Sequence, residues 1–125
     1  MCQFVAAGGW LAEVGEQNSW IEADFGRIVG IEYIATQSRV NGHARIATYT
    51  LSYSSDGLHY DSIRDDVNGD VMVFTGNAHQ HATDITENQL PSCLTTRHFR
   101  LTALTYGSAT RAGLRWEVYS CTYVT

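Results

Sequence analysis

The feature that most limits the fold of this chain is a two-residue alternation of apolar and polar side chains. In the segment ATYTLSYS, the apolar residues Ala47, Tyr49, Leu51 and Tyr53 occupy every second position, and Thr or Ser lies between them. Because successive side chains of a β-strand point to opposite faces, this pattern predicts a strand with one buried face. No segment longer than one or two turns shows helical periodicity with caps, so the sequence predicts an all-β protein.

Five further segments rich in β-branched and aromatic residues are predicted strands. They are WIEADF (20–25), IVGIEYIA (28–35), VMVF (71–74), RHFRLTAL (97–104) and LRWEVYSC (114–121). Turn sequences such as Ser55-Asp56-Gly57 and Asn68-Gly69 separate them, and glycine there can adopt positive φ. Residues 77–92 are predicted to form a long connection with a short strand. Short strands separated by turns predict an antiparallel β-sandwich or barrel. Trp20, Trp116 and the Tyr49 stripe are expected in its core.

Length and charge narrow the classes of function. The 125 residues suffice for one domain with its own hydrophobic core. The net charge of −5 disfavours nucleic acid as a partner. All eight basic residues are arginine, which suits planar recognition of carboxylate, sulfate or phosphate. No apolar run reaches the length of a membrane span, and residues 1–10 lack the features of a signal peptide. Any secretion signal is expected to lie outside this chain.

No motif in the sequence predicts a metal, a cofactor or catalysis. His79 and His81 would need a third ligand, such as Asp84 or Glu87, to hold a metal ion. The acidic stretch 61–70 lacks the glycine and the final glutamate of an EF-hand, so calcium is an alternative without a clear motif. Nothing pairs a nucleophile with a base, and the chain is therefore predicted not to be an enzyme.

Seven short motifs follow one another along most of the chain. They are GGW, WIEADFG, GIEYIATQSR, YTLSYSSDGLHY, VFTGN, TTRHFRLTAL and LRWEVYSC, from Gly8 to Cys121. This series resembles the discoidin family, also called coagulation factor 5/8 type C domains. The family implies a jelly-roll sandwich of about eight antiparallel strands, whose loops at one end touch the ligand. It also implies an extracellular or cell-surface module within a larger secreted or membrane protein. Since family members usually begin earlier, residues 1–125 are expected to be one such domain without the usual first strand and first ligand loop.

The candidate ligand-contacting residues lie in three polar segments, one before the first predicted strand and two between later predicted strands. They are Trp10, Leu11 and Asn18 in the first loop, Arg39, Val40, Asn41, His43 and Arg45 in the second, and Ser108 and Arg111 in the third. An indole offers a flat apolar face, and an arginine can donate two parallel hydrogen bonds to one anionic group. The resemblance implies that Trp10 is a pocket wall and that Arg39 matches an arginine at the ligand surface of collagen-binding members.

Several alternatives remain open for the ligand. A glycan or an extracellular protein is the first prediction, because the second loop is polar and Trp10 lies beside it. A phospholipid surface is the alternative within the family, with Leu11 and Val40 as apolar tips. A structural domain without a free ligand is a third, and an open sheet edge could then pair two copies as a homodimer. Trp10 could equally plug the end of the sandwich, and each loop could be an ordinary connection.

The three cysteines, Cys2, Cys93 and Cys121, have no C-x-x-C spacing. Cys2 and Cys121 lie at the two ends of the chain, where a disulfide would join them, and Cys93 would then be unpaired. Cys121 matches the terminal cysteine of the discoidin family, whereas Cys2 does not match the usual position of its partner. Bridged and free forms both remain open from the sequence.

Overall fold

A computed structural model describes residues 2–12, 17–38, 44–77, 85–106 and 111–121, with only the backbone for residues 2–9 and 121. These residues form seven strands: β1 Cys2–Leu11, β2 Trp20–Gln37, β3 Thr48–Ser54, β4 Asp61–Ser62, β5 Phe74–Thr75, β6 Thr86–Thr105 and β7 Gly113–Cys121. All the ladders between them are antiparallel, which confirms the all-β prediction. In this described part of the chain, no helix has the length and apolar character needed to cross a membrane.

Two long strands, β2 and β6, contribute to both layers of the sandwich. Residues 20–24 of β2 pair with residues 98–102 of β6, and residues 33–36 pair with 86–89. The register shifts between these two stretches, and there the strand pair bends over. The strands form one continuous sheet in the order β1-β7-β2-β6-β3-β4, and β5 pairs with β3. Because β3 pairs with residues 98–105 of β6 and β7 pairs with residues 33–37 of β2, the bend divides this sheet into a layer β2-β6-β3-β4 and a layer β6-β2-β7-β1.

The hydrophobic core lies between the two layers. Phe99 of β6 stacks on Trp116 of β7 with ring centroids 6.1 Å apart, and Tyr49 of β3 stacks on Phe74 of β5 at 5.5 Å. The largest fully buried apolar side chains are Tyr49, Phe99, Ile31, Ile34, Leu51, Leu101, Leu114 and Val118. The predictions for Tyr49, Leu51 and Trp116 as core residues are confirmed. Burial raises the pKa of Tyr49, although Asn88 donates a hydrogen bond to its hydroxyl oxygen.

Trp20 was predicted to be buried, and this prediction is wrong, because 49% of its surface is exposed. Trp20 has the same strand parity as Glu22 and Asp24, and alternation therefore places it on the outer face of the sheet. The predicted alternation is also wrong at Ile34, which is buried although it lies one residue out of step with Ile31. The register shift between Ile31 and Tyr33 changes the phase of β2, so Ile31 and Ile34 are both buried.

Several strand boundaries differ from the sequence prediction. Strand β1 was not predicted, because its Gly and Ala residues carry no alternating pattern. Strand β6 begins at Thr86, inside the segment predicted to be mainly a connection. Of the predicted strand VMVF, only Phe74 lies in a ladder, and Val71 forms an isolated bridge with Arg64. The predicted turns do adopt positive φ, at 77° for both Gly57 and Gly69.

The strand register supports a disulfide between Cys2 and Cys121, whose Cα positions are directly opposed in the β1–β7 ladder. Opposed residues of antiparallel strands have Cα atoms about 4.5–5.5 Å apart, which a disulfide can span. We expect the oxidised protein to gain the mass of two hydrogen atoms on reduction. We also expect reduction to lower the free energy of unfolding by about 2 kcal/mol, the low end of the usual range because β1 is an edge strand.

The matched control for the disulfide is Cys93→Ser, since Cys93 is a free, exposed cysteine. This variant should keep the mass difference on reduction, whereas Cys121→Ser should abolish it. Equal masses of the untreated and reduced protein, measured intact under denaturing conditions, would contradict the bridge.

Candidate functional site

The bases of the three predicted loops meet at one end of the sandwich. The backbone N–H of Ala12, at the start of the first loop, donates to the carbonyl of Ala112 at 3.0 Å. The N–H of Arg45, at the end of the second loop, donates to the carbonyl of Arg111 at 3.3 Å. The Nε of Arg111 then donates to the carbonyl of Ala12 at 2.6 Å. We call this surface, with Leu11, Ala12, Asn18, Arg45 and Arg111, the loop end.

The predicted site residues that the structure describes differ in exposure. Leu11 is 44% exposed, and Asn18 is exposed with a positive φ of 55°. Trp10 is half-buried and packs against the hydrophobic core. Arg45 and Arg111 are also half-buried. The other predicted residues lie outside the described part of the chain; these are Arg39, Val40, Asn41, His43 and Ser108.

Arg111 connects the first and second loops, one through its side chain and the other through its backbone carbonyl. Its guanidinium donates to the first loop at Ala12, while its own carbonyl accepts from the second loop at Arg45. One residue of the third loop therefore contacts the other two. A loop base held by hydrogen bonds loses less conformational entropy when a ligand binds, and this favours affinity.

The base of the second loop is held on both sides. Arg115 of β7 donates from Nε and Nη2 to the carbonyl of Ser38, at 3.2 and 3.0 Å. Ser38 is fully buried, so the loop leaves the sandwich from a fixed point. On its returning side, Ala44 forms an isolated bridge with Arg111. Ser38 and Ala44, the described residues on either side of this loop, are thus both held by contacts with the last part of the chain.

A buried amide behind the loop end joins the two layers. Asn77 accepts a hydrogen bond from the Thr36 hydroxyl at 2.8 Å and donates one to the Thr86 hydroxyl at 3.0 Å. Its backbone N–H donates to the carbonyl of Ile46 at 2.8 Å. Polar groups buried in this way are stabilising only when paired, so the network specifies one arrangement of the loop bases.

An aromatic cluster that the sequence did not predict lies beside the loop end. The guanidinium of Arg100 lies 3.8 Å from the ring centroid of Trp20 and 4.0 Å from that of Tyr60. It also contacts Glu22, from Nε at 3.2 Å and from Nη2 at 3.1 Å. The strand parity that Trp20 shares with Glu22 is the signal that could have identified this outward cluster.

Charges on the same outer face are paired. The Tyr60 hydroxyl donates to Glu22, and this hydrogen bond raises the pKa of Tyr60. Arg97 donates to Asp24 from Nε at 2.9 Å, and this bond is the largest cause that lowers the pKa of Asp24 to about 2. Asp24 therefore remains ionised at neutral pH beside Arg97.

A cavity of about 250 Å³ lies away from the loop end, between the β4 side of one layer and β6 of the other. Its lining residues are Tyr53, Ser62, Ile63, Arg64, Asp66, Leu90, Pro91, Ser92 and Leu94. Arg64 there donates from Nη1 to the carbonyl of Gly69 at 3.0 Å. Of the predicted ligand-contacting residues that the structure describes, none lines this cavity.

The acidic stretch 61–70 is organised by its own backbone. Asp65 accepts from the N–H of Val67 at 2.7 Å, and the N–H of Asp70 donates to the Asn68 side chain at 3.0 Å. Within the described ranges, no three His, Cys, Asp or Glu side chains are close enough together to hold a metal ion. His79 and His81 lie outside those ranges.

Comparison with known protein families gives one match that covers most of the chain. Residues 5–118 match the model of the F5/8 type C domain. Among solved structures, discoidin II of Dictyostelium discoideum is similar, with a TM-score of 0.74 and 21% sequence identity. The match covers 94% of this chain and 43% of that one, so the chain spans less than half the length of discoidin II.

Two carbohydrate-binding modules have the same fold at lower identity. CBM32-1 from a family 31 glycoside hydrolase of Clostridium perfringens has a TM-score of 0.69 and 14% identity, over 90% of this chain and 76% of that one. The CBM32 of AlyQ, solved in complex with 4,5-unsaturated mannuronic acid, has a TM-score of 0.63 and 14% identity. That match covers 94% of this chain and 92% of the module. These likenesses confirm the discoidin-type sandwich.

Proposed function

This chain belongs to the F5/8 type C domain family, also called the discoidin family, and on that basis we propose that it is an extracellular module that binds carbohydrate at the loop end. The proposed role of the chain is binding alone, without catalysis. The observation that carries it is the meeting of three loop bases through Ala12, Arg45 and Arg111. Loops positioned by a rigid sandwich are the usual place for ligand contacts, since the scaffold fixes their ends.

The chemistry of the loop residues favours a carbohydrate. Trp10 precedes Leu11 in β1 and is half-buried, so part of its aromatic side chain remains exposed, and Asn18 and Arg45 bring an amide and a guanidinium to the loop end. Sugars present apolar C–H faces and hydroxyl pairs, which stack on aromatic rings and hydrogen-bond to such groups. The similarity to two carbohydrate-binding modules adds support, one of them solved with a uronic acid.

Replacing Trp10 by alanine is the direct test of a carbohydrate site. We expect the chain to bind selected glycans on an array, and Trp10→Ala to weaken that binding at least about tenfold. Isothermal titration with chito-oligosaccharides and oligomannuronates gives the affinities. The matched control is Leu58→Ala, because Leu58 is 80% exposed in the β3–β4 turn and lies outside the loop end.

Because Trp10 also packs on the core, its variant must first be shown to fold. Circular dichroism and the melting temperature serve that purpose, and Trp10→Phe retains an aromatic ring if alanine unfolds the protein. A folded wild-type chain that binds no glycan would refute the carbohydrate proposal.

Exposed Leu11 favours a second candidate, a module that binds phospholipid. Leu11 lies at the loop end with 44% of its surface exposed, and apolar loop tips can insert into a bilayer interface. Sedimentation with phosphatidylcholine vesicles, with and without phosphatidylserine, separates the two candidates. Vesicle binding that Leu11→Ala weakens more than Arg39→Ala would favour lipid over carbohydrate.

A further inference from the structure

We propose that the carbohydrate surface continues from the loop end onto the outer face of the layer β2-β6-β3-β4, where Trp20 provides a second stacking platform. The ligand is then an oligosaccharide chain that spans both positions, and a single terminal sugar fills only the first. This inference rests on the proposed carbohydrate function and specifies the class of ligand for it. Trp20 carries it, because this large aromatic residue is about half exposed on a sheet face.

The outer face is continuous with the loop end. Trp20 follows Asn18 by two residues and is opposite Thr102 in the β2–β6 ladder. The N–H of Ala103 donates to the carbonyl of Ser19 at 2.9 Å, which extends this pairing toward the loop. The next residue of β6, Leu104, is 41% exposed. Asn18, Trp20 and Leu104 therefore form one surface that begins at the loop end.

The indole of Trp20 is held in one orientation. The Arg100 guanidinium lies over the Trp20 ring at 3.8 Å from its centroid, and it also lies over the Tyr60 ring at 4.0 Å. The Nε and Nη2 atoms of Arg100 also contact the Glu22 carboxylate, which holds the guanidinium in place. A ring stacked and anchored in this way loses little rotamer freedom on binding, so more of the contact energy appears as affinity.

The chemistry of this surface suits a sugar. A pyranose ring can place its C–H face on the exposed part of the indole, while hydroxyl groups reach the Asn18 amide and the Thr102 hydroxyl. Because Glu22 is paired with Arg100, the face does not present an isolated carboxylate to the ligand. Trp20 therefore offers a partly exposed aromatic ring, held by Arg100, on a face where the nearby Glu22 carboxylate is paired.

Dependence of affinity on ligand length is the test. Titration calorimetry should use chito-oligosaccharides and oligomannuronates from one to six units, with the wild-type chain and Trp20→Ala. We expect wild-type affinity to rise about tenfold between the monosaccharide and the longer chains. Trp20→Ala should bind the monosaccharide like the wild type and lose that rise, whereas Trp10→Ala should weaken every length.

Two more variants separate stacking from folding. Trp20→Phe should keep part of the rise, because phenylalanine retains a ring. Arg100→Gln should reduce it, because the indole loses its support, while melting temperatures show whether each variant is folded. Val67→Ala is the surface control, since Val67 is almost fully exposed and lies in the turn after β4.

The outcomes distinguish the two proposals. A folded Trp20→Ala protein that keeps the full rise with length would overturn the extended surface and leave the loop-end site intact. A wild-type chain that binds monosaccharide and hexasaccharide equally would overturn it as well. A wild-type chain that binds no sugar of any length would refute the proposed function itself.

Discussion

Replacing Phe99 by alanine is expected to lower the free energy of unfolding by about 3–5 kcal/mol, measured by urea denaturation. Phe99 is fully buried, and its ring stacks on Trp116 across the two layers at 6.1 Å. Truncation loses the transfer free energy of the ring and leaves a cavity that neighbouring β6 residues cannot fill, since their backbone is fixed by ladders on both sides.

Leu104→Ala is the matched control for Phe99, because it lies on the same strand with its side chain on the outer face. Its expected cost is below about 1 kcal/mol, since a partly exposed side chain leaves no closed cavity. A double-mutant cycle with Trp116→Leu, which removes the second ring, isolates the stacking contact, and this contact should contribute about 0.5–1.5 kcal/mol. Equal losses for Phe99→Ala and Leu104→Ala would refute the assignment of Phe99 to the interlayer core.

The second large effect is expected at Gly76, where a methyl group has no space. A Cβ atom added there would lie 2.4 Å from the carbonyl oxygen of Ile46, which is backbone and cannot rotate away. The same stretch carries the hydrogen bonds from Gly76 to Ala47 and from Asn77 to Ile46. Gly76→Ala should therefore cost about 3 kcal/mol or more in unfolding free energy.

Gly69→Ala is a useful comparison for Gly76, because the two glycines are required for different reasons. Gly69 has open space around its missing Cβ and a φ of 77°, so alanine there meets only backbone strain of about 1–2 kcal/mol. Since Gly76 lies beside the Asn77 network, we also expect Gly76→Ala to weaken ligand binding at the loop end. If Gly76→Ala is no less stable than Gly69→Ala, the close approach of residues 46 and 76 is wrong.

The strands could be predicted from the sequence wherever one face of a strand is buried and the other is exposed to solvent. Tyr49 and Leu51 follow that rule, and both are fully buried. The rule fails for Ile34, because a register shift in β2 is a tertiary feature without a local signal. It could not detect β1 either, since an edge strand with Gly8 and Gly9 needs no alternating side chains to pair with β7.

The candidate site was predictable in part. Polarity and turn sequences located the three loops, but their meeting depends on hydrogen bonds among Ala12, Arg45 and Arg111, which are far apart in the chain. The general tendency of tryptophan to be buried predicts a core position for Trp20, whereas its strand parity with Glu22 predicts the exposed position that the structure shows. Strand parity was the better guide, because it follows from the geometry of this particular strand.

The passage of β2 and β6 through both layers has a mechanical consequence. Two sheets without shared strands can move relative to each other. In this protein the β2–β6 strand pair continues from one layer into the other, so a hinge motion between the layers would have to break its hydrogen bonds. We expect one cooperative unfolding transition and little relative motion of the two layers in the folded state. We also expect folding to be slow, because segments far apart in the sequence must pair first. The loop bases at Ala12, Arg45 and Arg111 are attached to this body, so we expect their mutual spacing to stay the same when a ligand binds.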